Sequence, residues 1–451
     1  MMVGVWSSLR AVSVGALACA CGNYTARSEG GSGGAGPISS DAGQAGVGSG
    51  TSGENRDLAS GEDRDLASGE DGDGDDRAPP ITSCAILDGK LAYGPIGEPW
   101  PWPLECNAAS GGDSRACGVQ DYAAFSTKTG HGILWRTGFP GDAPVPNLFS
   151  MNAGPEFEPG KPRALLGENA ASDFQVAPAP SGALVSTCMW NSGPAWIWLA
   201  DDLSLDESRS FSLPDVECEL DAPAVLWTGE RYLTAFTDER GLIIASFDKQ
   251  GTLVGEETVS APMIAPAVAR FSKNADRVLL VFNTGPGPEL RYRVLDLEGI
   301  PLTESEPLVA VGNEHTYPFV TTNGTGWWAV NDAGWSDDPE ATLTHVSRNG
   351  TLRSSNALGA LELRALARSS SGGSLLLARW HETDLHGHSF SRRMVIDDAG
   401  QVIDSVEEDT GGDGPMPEDI VVDPSRDLIV ENRHVDGISG HKVVQEYGCL
   451  E

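Results

Sequence analysis

The side chains with the clearest chemical potential are histidines and carboxylates gathered in one polar stretch. Three of the chain's eight histidines fall within Trp380-His381-Glu382-Thr383-Asp384-Leu385-His386-Gly387-His388. His386 and His388 are two residues apart, so an extended backbone places them on one side, with Glu382 and Asp384 supplying carboxylates. His434, Asp436 and His441 form a second, smaller group. Imidazole and carboxylate together suit a divalent cation. The spacing departs from H-E-x-x-H, because three residues separate Glu382 from His386. Histidine is also an ordinary polar loop residue. The reading adopted has no cofactor, and a divalent cation at His386, His388 and His434 is the alternative. No G-x-S-x-G elbow, phosphate-binding loop or dinucleotide fingerprint occurs, so no catalytic residue is assigned.

The elements that must position these groups follow from a repeat. Its cleanest copy is Asp221 to Ala261, in which Ala224–Trp227, Tyr232–Phe236 and Leu242–Phe247 are short apolar runs and a fourth follows Asp248-Lys249-Gln250-Gly251. The turn recurs as Asp296-Leu-Glu-Gly299, Ser347-Arg-Asn-Gly350 and Asp397-Asp-Ala-Gly400, with glycines 48, 51 and 50 residues apart. A tight strand-to-strand turn often needs positive φ, which explains the glycine. The opening strand recurs as Pro223-Ala-Val225, Pro266-Ala-Val268 and Pro318-Phe-Val320. The second recurs as Leu233–Phe236, Leu279–Phe282, Trp327–Val330 and Leu375–Ala378. These second strands are apolar at successive positions, which suits a sheet covered on both faces. No stretch has a useful helical period.

Composition bounds the partners. The formal charge is -35; residues 52–77 carry -7 and residues 1–51 none, leaving -28 on the rest. So acidic a body repels phosphate backbones and anionic surfaces, which excludes nucleic acid and leaves an N-terminal lipid as the membrane contact. Arg10 precedes the apolar run Ala11–Ala20, too short to span a bilayer and proportioned as a signal-peptide core. Small residues running into cysteine resemble a bacterial lipobox, with Cys21 favoured over Cys19 and an ordinary cleaved signal as the alternative. Residues 1–21 are thus read as a signal segment and 22–80 as a disordered stalk. Within the stalk, an acidic eight-residue tandem repeat begins at Ser52 and decays into Asp71–Asp76. Such composition cannot offset its own ordering entropy. The other six cysteines show no zinc spacing and suit disulfides in an oxidising compartment.

Four short strands in about forty residues resemble the blade of a β-propeller, and the whole is similar to propeller proteins of bacterial envelopes over residues 81–451. The expectation is all-β, with seven four-stranded antiparallel blades (six as the alternative). Blades fall near 168–220, 221–261, 262–310, 311–359, 360–409 and 410–451, after an irregular first one. The last copy holds only three strands, so the segment Ile81–Ile86 is expected to supply its fourth. Cys84 would then bond Cys449, with Cys106–Cys117 and Cys188–Cys218 as the remaining pairs. In such proteins the loops joining second and third strands share the face usually used for ligands. That face carries Asp238, Arg240, Asn331, Asp332, Trp335, His381, Glu382, Asp384, His386, His388, His434 and Asp436. Trp190, Trp335 and Trp380 could stack on sugars there, although packing between blades is the reading preferred. The implied role is a monomeric, lipid-anchored binding platform whose partner is an envelope protein or glycan. A glycoside hydrolase or lyase is the rival.

Overall fold

A computed structural model describes residues 84–450 apart from a set of loops, the longest being 104–118, 138–147, 260–267, 333–340 and 382–388. The signal-like segment, Cys19, Cys21, the acidic stalk and the proposed Cys106–Cys117 pair lie outside the described residues. Seven four-stranded antiparallel sheets form a ring, a seven-bladed β-propeller with no helix among the described residues. The first blade runs from the inner strand Val119–Thr127 to Arg163–Ala164, and the second from Ala171–Ala179 to Phe211–Ser212. The next four begin at Ala224–Trp227, Ala269–Asn274, Tyr317–Thr322 and Glu362–Arg368. The inner strands of consecutive blades touch in chain order, and Met416–Val421 of the seventh returns to the first. There the backbone bonds directly across the seam, Ser126 N–H to Val422 O and Val422 N–H to Ala124 O, both 2.9 Å.

The ring closes differently from the sequence expectation. The outer strand of the seventh blade is Tyr93–Pro101, not Ile81–Ile86. Ile86–Leu87 instead pairs antiparallel with Lys90–Leu91. The outermost strand needs ladder bonds on one side only, so it tolerates Pro95, Pro99 and Pro101, which a central strand would not. Cys84 nevertheless bonds Cys449, and Cys188 bonds Cys218. Two disulfides mark a chain that matures in an oxidising compartment.

Apolar runs become the seams of the ring. Seven buried clusters occupy the seven interfaces between adjacent blades. The run Val278–Phe282 is wholly buried because alternate side chains enter the seams on either side of its blade. Each large aliphatic side chain buried this way contributes about 1.5–3 kcal/mol.

The turns between third and fourth strands of blades three to six share one construction. Gly251, Gly299, Gly350 and Gly400 donate to the carbonyls of Asp248, Asp296, Ser347 and Asp397. In three of them the aspartate Oδ1 also accepts two backbone N–H groups, as Asp296 does from Glu298 and Ile300. Gly400 shows why the position is glycine. Its φ is +82°, and an added Cβ would lie 2.6 Å from the buried Trp328 ring of the preceding blade.

Candidate functional site

The second strands all end, and the third strands begin, at one face of the ring by their antiparallel pairing. In blades three to six the residues between them are 239–240, 284–288, 333–340 and 382–388. Trp335, Glu382, Asp384, His386, His388 and Asp436 lie outside the described residues. Asp332, His381 and His434 sit at or near the ends of their second strands, on that face, by backbone register. Three predicted residues, Asp238, Arg240 and Asn331, have internal partners instead. Arg240 clamps its own hairpin, 2.6 Å from Asp238 Oδ2 and ion-paired with Glu256. Asn331 is buried and accepts the Thr342 N–H at 2.8 Å, which satisfies the start of the third strand. Among the described residues no three potential metal ligands come together.

A feature the sequence reading missed lies at the inner rim of the same face. Four inner strands, in blades six, seven, one and two, carry a register shift near their start, where they pair with the ends of the second strands. The inner strands of blades three, four and five pair without one. The four irregular blades are contiguous in the ring, so the shifts form an arc. A bulge re-aims side chains and frees a local N–H. Here the affected residues are charged or polar: Arg364, Glu418, Gln120 and the pair Ser172-Asp173. Asp173 and Asp419 answer the freed backbone in the same way, each accepting the next residue's N–H, at 2.6 and 2.8 Å.

The arc is largely charge-compensated. Arg364 lies 2.6 Å from Glu362, and Lys442 lies 3.0 Å from Glu418. The Lys442 ammonium also stands 4.4 Å from the Tyr122 ring centroid, a favourable contact with the negative face of the ring. Asp419 is the exception. Loss of hydration pushes its carboxyl up to about 7, against the opposing pull of the Ile420 N–H and Lys442. Such a group can hold or release a proton near neutrality, which suits hydrogen bonding to ligand hydroxyls or acid–base work. The copies signal this arc weakly in sequence. Blade three opens Ala-Val-Leu, whereas blades six and seven carry Glu362-Leu-Arg364 and Glu418-Asp419 at the same place.

The raised Asp419 pKa has a testable sign. In the unfolded chain this carboxyl ionises near its ordinary value, so the fold disfavours ionisation and loses stability as pH rises from about 4 to 7. Asp419→Asn should flatten that slope by up to about 4 kcal/mol, read from denaturant midpoints across this window. Parallel slopes for the two proteins would contradict the assignment.

The fold and rim together define a seven-bladed propeller with a loop-bearing face. No family model matches the chain, and no curated protein is similar to it. Among solved structures, the chain is similar to a subtype N10 neuraminidase-like protein of A/little yellow-shouldered bat/Guatemala, at 10% identity and a TM-score of 0.37. That match covers 61% of this chain and 93% of that one. A subtype N11 neuraminidase-like protein of A/flat-faced bat/Peru gives 8% identity and a TM-score of 0.37, over 60% and 86%. A prolyl endopeptidase gives 14% identity and a TM-score of 0.42, covering 70% of this chain and 46% of that one.

Proposed function

We propose that the chain is a non-catalytic binding scaffold of the cell envelope, anchored by lipid on Cys21 or Cys19. Its partner, an envelope protein or glycan, meets the face carrying the loops between second and third strands. One observation carries this reading. In blades three to six those loops range from two residues (239–240) to eight (333–340), while the turns between third and fourth strands, on the opposite face, keep one hydrogen-bond pattern. Loops that vary this widely on a regular frame are how binding surfaces are built. The disulfide-closed ring adds a rigid frame, and rigidity lowers the entropy lost when a partner docks.

The test is cross-linked capture from envelope extracts with the full chain, against a variant carrying His381→Ala, Glu382→Ala, His386→Ala and His434→Ala. A captured protein or polysaccharide that falls about tenfold in the variant supports the reading, since removing a few anchor contacts costs at least that much. An identical captured set, with the variant normally folded, overturns it. Asp419 favours a second reading, a carbohydrate-active enzyme, because a carboxyl protonated near neutrality beside Glu418 is what glycoside cleavage requires of its acid. Reducing-sugar release from envelope polysaccharide that disappears in Asp419→Asn would establish that alternative.

A further inference from the structure

The opposite mouth of the central channel holds a cavity of about 850 Å³, where the inner strands turn into the second strands. Its wall has two levels. Val176, Leu226, Phe271, Val320, Leu366 and Ile420 are half-buried and supplied one each by blades two to seven, so they form an apolar collar. Charged side chains surround the collar, and their pairing is lopsided. Every acid in the wall already has partners. Asp201 lies 3.0 Å from Lys128. Asp423 accepts from Ser126 at 2.7 Å and from the Ser425 N–H and hydroxyl. Asp427 accepts from Tyr93, Ser369 and the Ser370 N–H.

Three cations of the same wall have no carboxylate partner among the described residues. Arg270 donates to the carbonyl of Ala269 at 3.0 Å, and Lys273 to that of Thr228. Arg368 has a buried Nη1 with no hydrogen-bond partner. Its guanidinium occupies the space above Gly324, where an added Cβ would come within 2.9 Å of Nη1 and 3.1 Å of Nη2. Several other arginines of this acidic ring stand against acids, as Arg240 does between Asp238 and Glu256. A buried guanidinium N–H without an acceptor is costly unless a ligand supplies one.

We infer that this mouth binds a small organic anion with an apolar body, the body against the collar and the anionic group at Arg368 and Lys273, with Arg270 adding charge. The proposal is independent of the loop-bearing face, since it concerns the other end of the channel. A guanidinium favours a planar or tetrahedral oxyanion, so carboxylates, sulfonates and phosphate esters are the ligand class.

Anilinonaphthalene sulfonate has the required shape and charge, and N-phenylnaphthylamine is its uncharged counterpart. Fluorescence titration of the folded full chain at low ionic strength should show one sulfonate site. Lys273→Met with Arg368→Met should weaken it about tenfold, with N-phenylnaphthylamine binding unchanged. Arg368→Lys, which retains the charge, should bind more tightly than Arg368→Gln, so the test survives if the double variant folds poorly. Equal sulfonate affinity in wild type and double variant, equal affinity in Arg368→Lys and Arg368→Gln, or a neutral probe bound as tightly as the anion, would each overturn the proposal.

Discussion

Replacing Cys84 and Cys449 by serine is expected to lower the thermal midpoint by about 5 °C and to open the Tyr93–Pro101 strand to protease. The bond spans 365 residues, so it constrains nearly the whole folded chain. The chain-entropy relation gives about 6 kcal/mol for such a span, and native disulfides deliver about 2–5. A ring of about 370 residues has an unfolding entropy near 0.8 kcal/mol per degree, which turns that loss into the few degrees stated. The mechanical consequence is local. Tyr93–Pro101 is held by its ladder to Ile438–Cys449, by the Trp102 N–H to Lys442 O bond and by the disulfide. Without the sulfur link this ladder frays first, since an outer strand has no neighbour on its other side. Tryptic cleavage at Lys90, in the adjoining hairpin, should therefore accelerate. A midpoint within 1 °C of wild type and unchanged cleavage would show that the strand pairing alone closes the ring.

That closure also shows what a sequence can and cannot convey about such a fold. The turns at Gly251, Gly299, Gly350 and Gly400 were legible because one local geometry requires one residue type at one spacing. The pairing of Cys84 with Cys449 was legible because a last blade with three strands must borrow a fourth. Which segment is borrowed was not. Ile81–Ile86 looks like a strand, whereas Tyr93–Pro101 carries three prolines and two glycines. An edge position removes the objection to proline, but edge position is a property of the assembled sheet.

The candidate sites divide in the same way. The loop-bearing face was legible because it follows from counting strands, and Asp332, His381 and His434 lie on it by register. The bulged arc at Asp173, Arg364 and Asp419 was not, since a register shift is a relation between two strands. The cationic mouth was equally hidden. Lys273 and Arg368 are nearly a hundred residues apart and are joined because their inner strands end at the same rim, with Arg270 three residues further in along the Lys273 strand. Three residues offered as binding groups, Asp238, Arg240 and Asn331, have structural partners. Arg240 is neutralised within its hairpin, and Asn331 is buried against Thr342.

Asp427→Ala is expected to destabilise the ring by about 3–5 kcal/mol, more than any single surface change. Asp427 is buried at the start of the second strand of blade seven, yet its partners come from two other places. Tyr93 of the closing strand donates its hydroxyl at 2.6 Å, while Ser369 and the Ser370 N–H donate from the turn of blade six. Burial and the neighbouring carboxylate push the Tyr93 phenol well above its ordinary range, so it remains a donor at any working pH. Arg393, itself buried, lies against the rings of Tyr93 and Tyr447, with its guanidinium carbon 5.5 and 5.1 Å from their centroids. Tyr447 in turn donates to the buried Glu431 at 2.5 Å. Acid, phenol, guanidinium, phenol and acid thus follow one another across the seam beside Cys84–Cys449. Removing the Asp427 carboxylate strands two buried donors and the half-buried Ser370 N–H, each buried one costing about 1–3 kcal/mol when unpaired, although relaxation recovers part of the sum. Tyr93→Phe removes one donor and leaves Asp427 its other two partners, so it should cost only about 1–2 kcal/mol. Paired with Asp427→Ala in a double-mutant cycle, the two changes should be strongly non-additive, because both act through the same hydrogen bond. Denaturant unfolding followed by tryptophan fluorescence measures all four species, and additive losses would mean that the seam is held by its apolar cluster rather than by this polar chain.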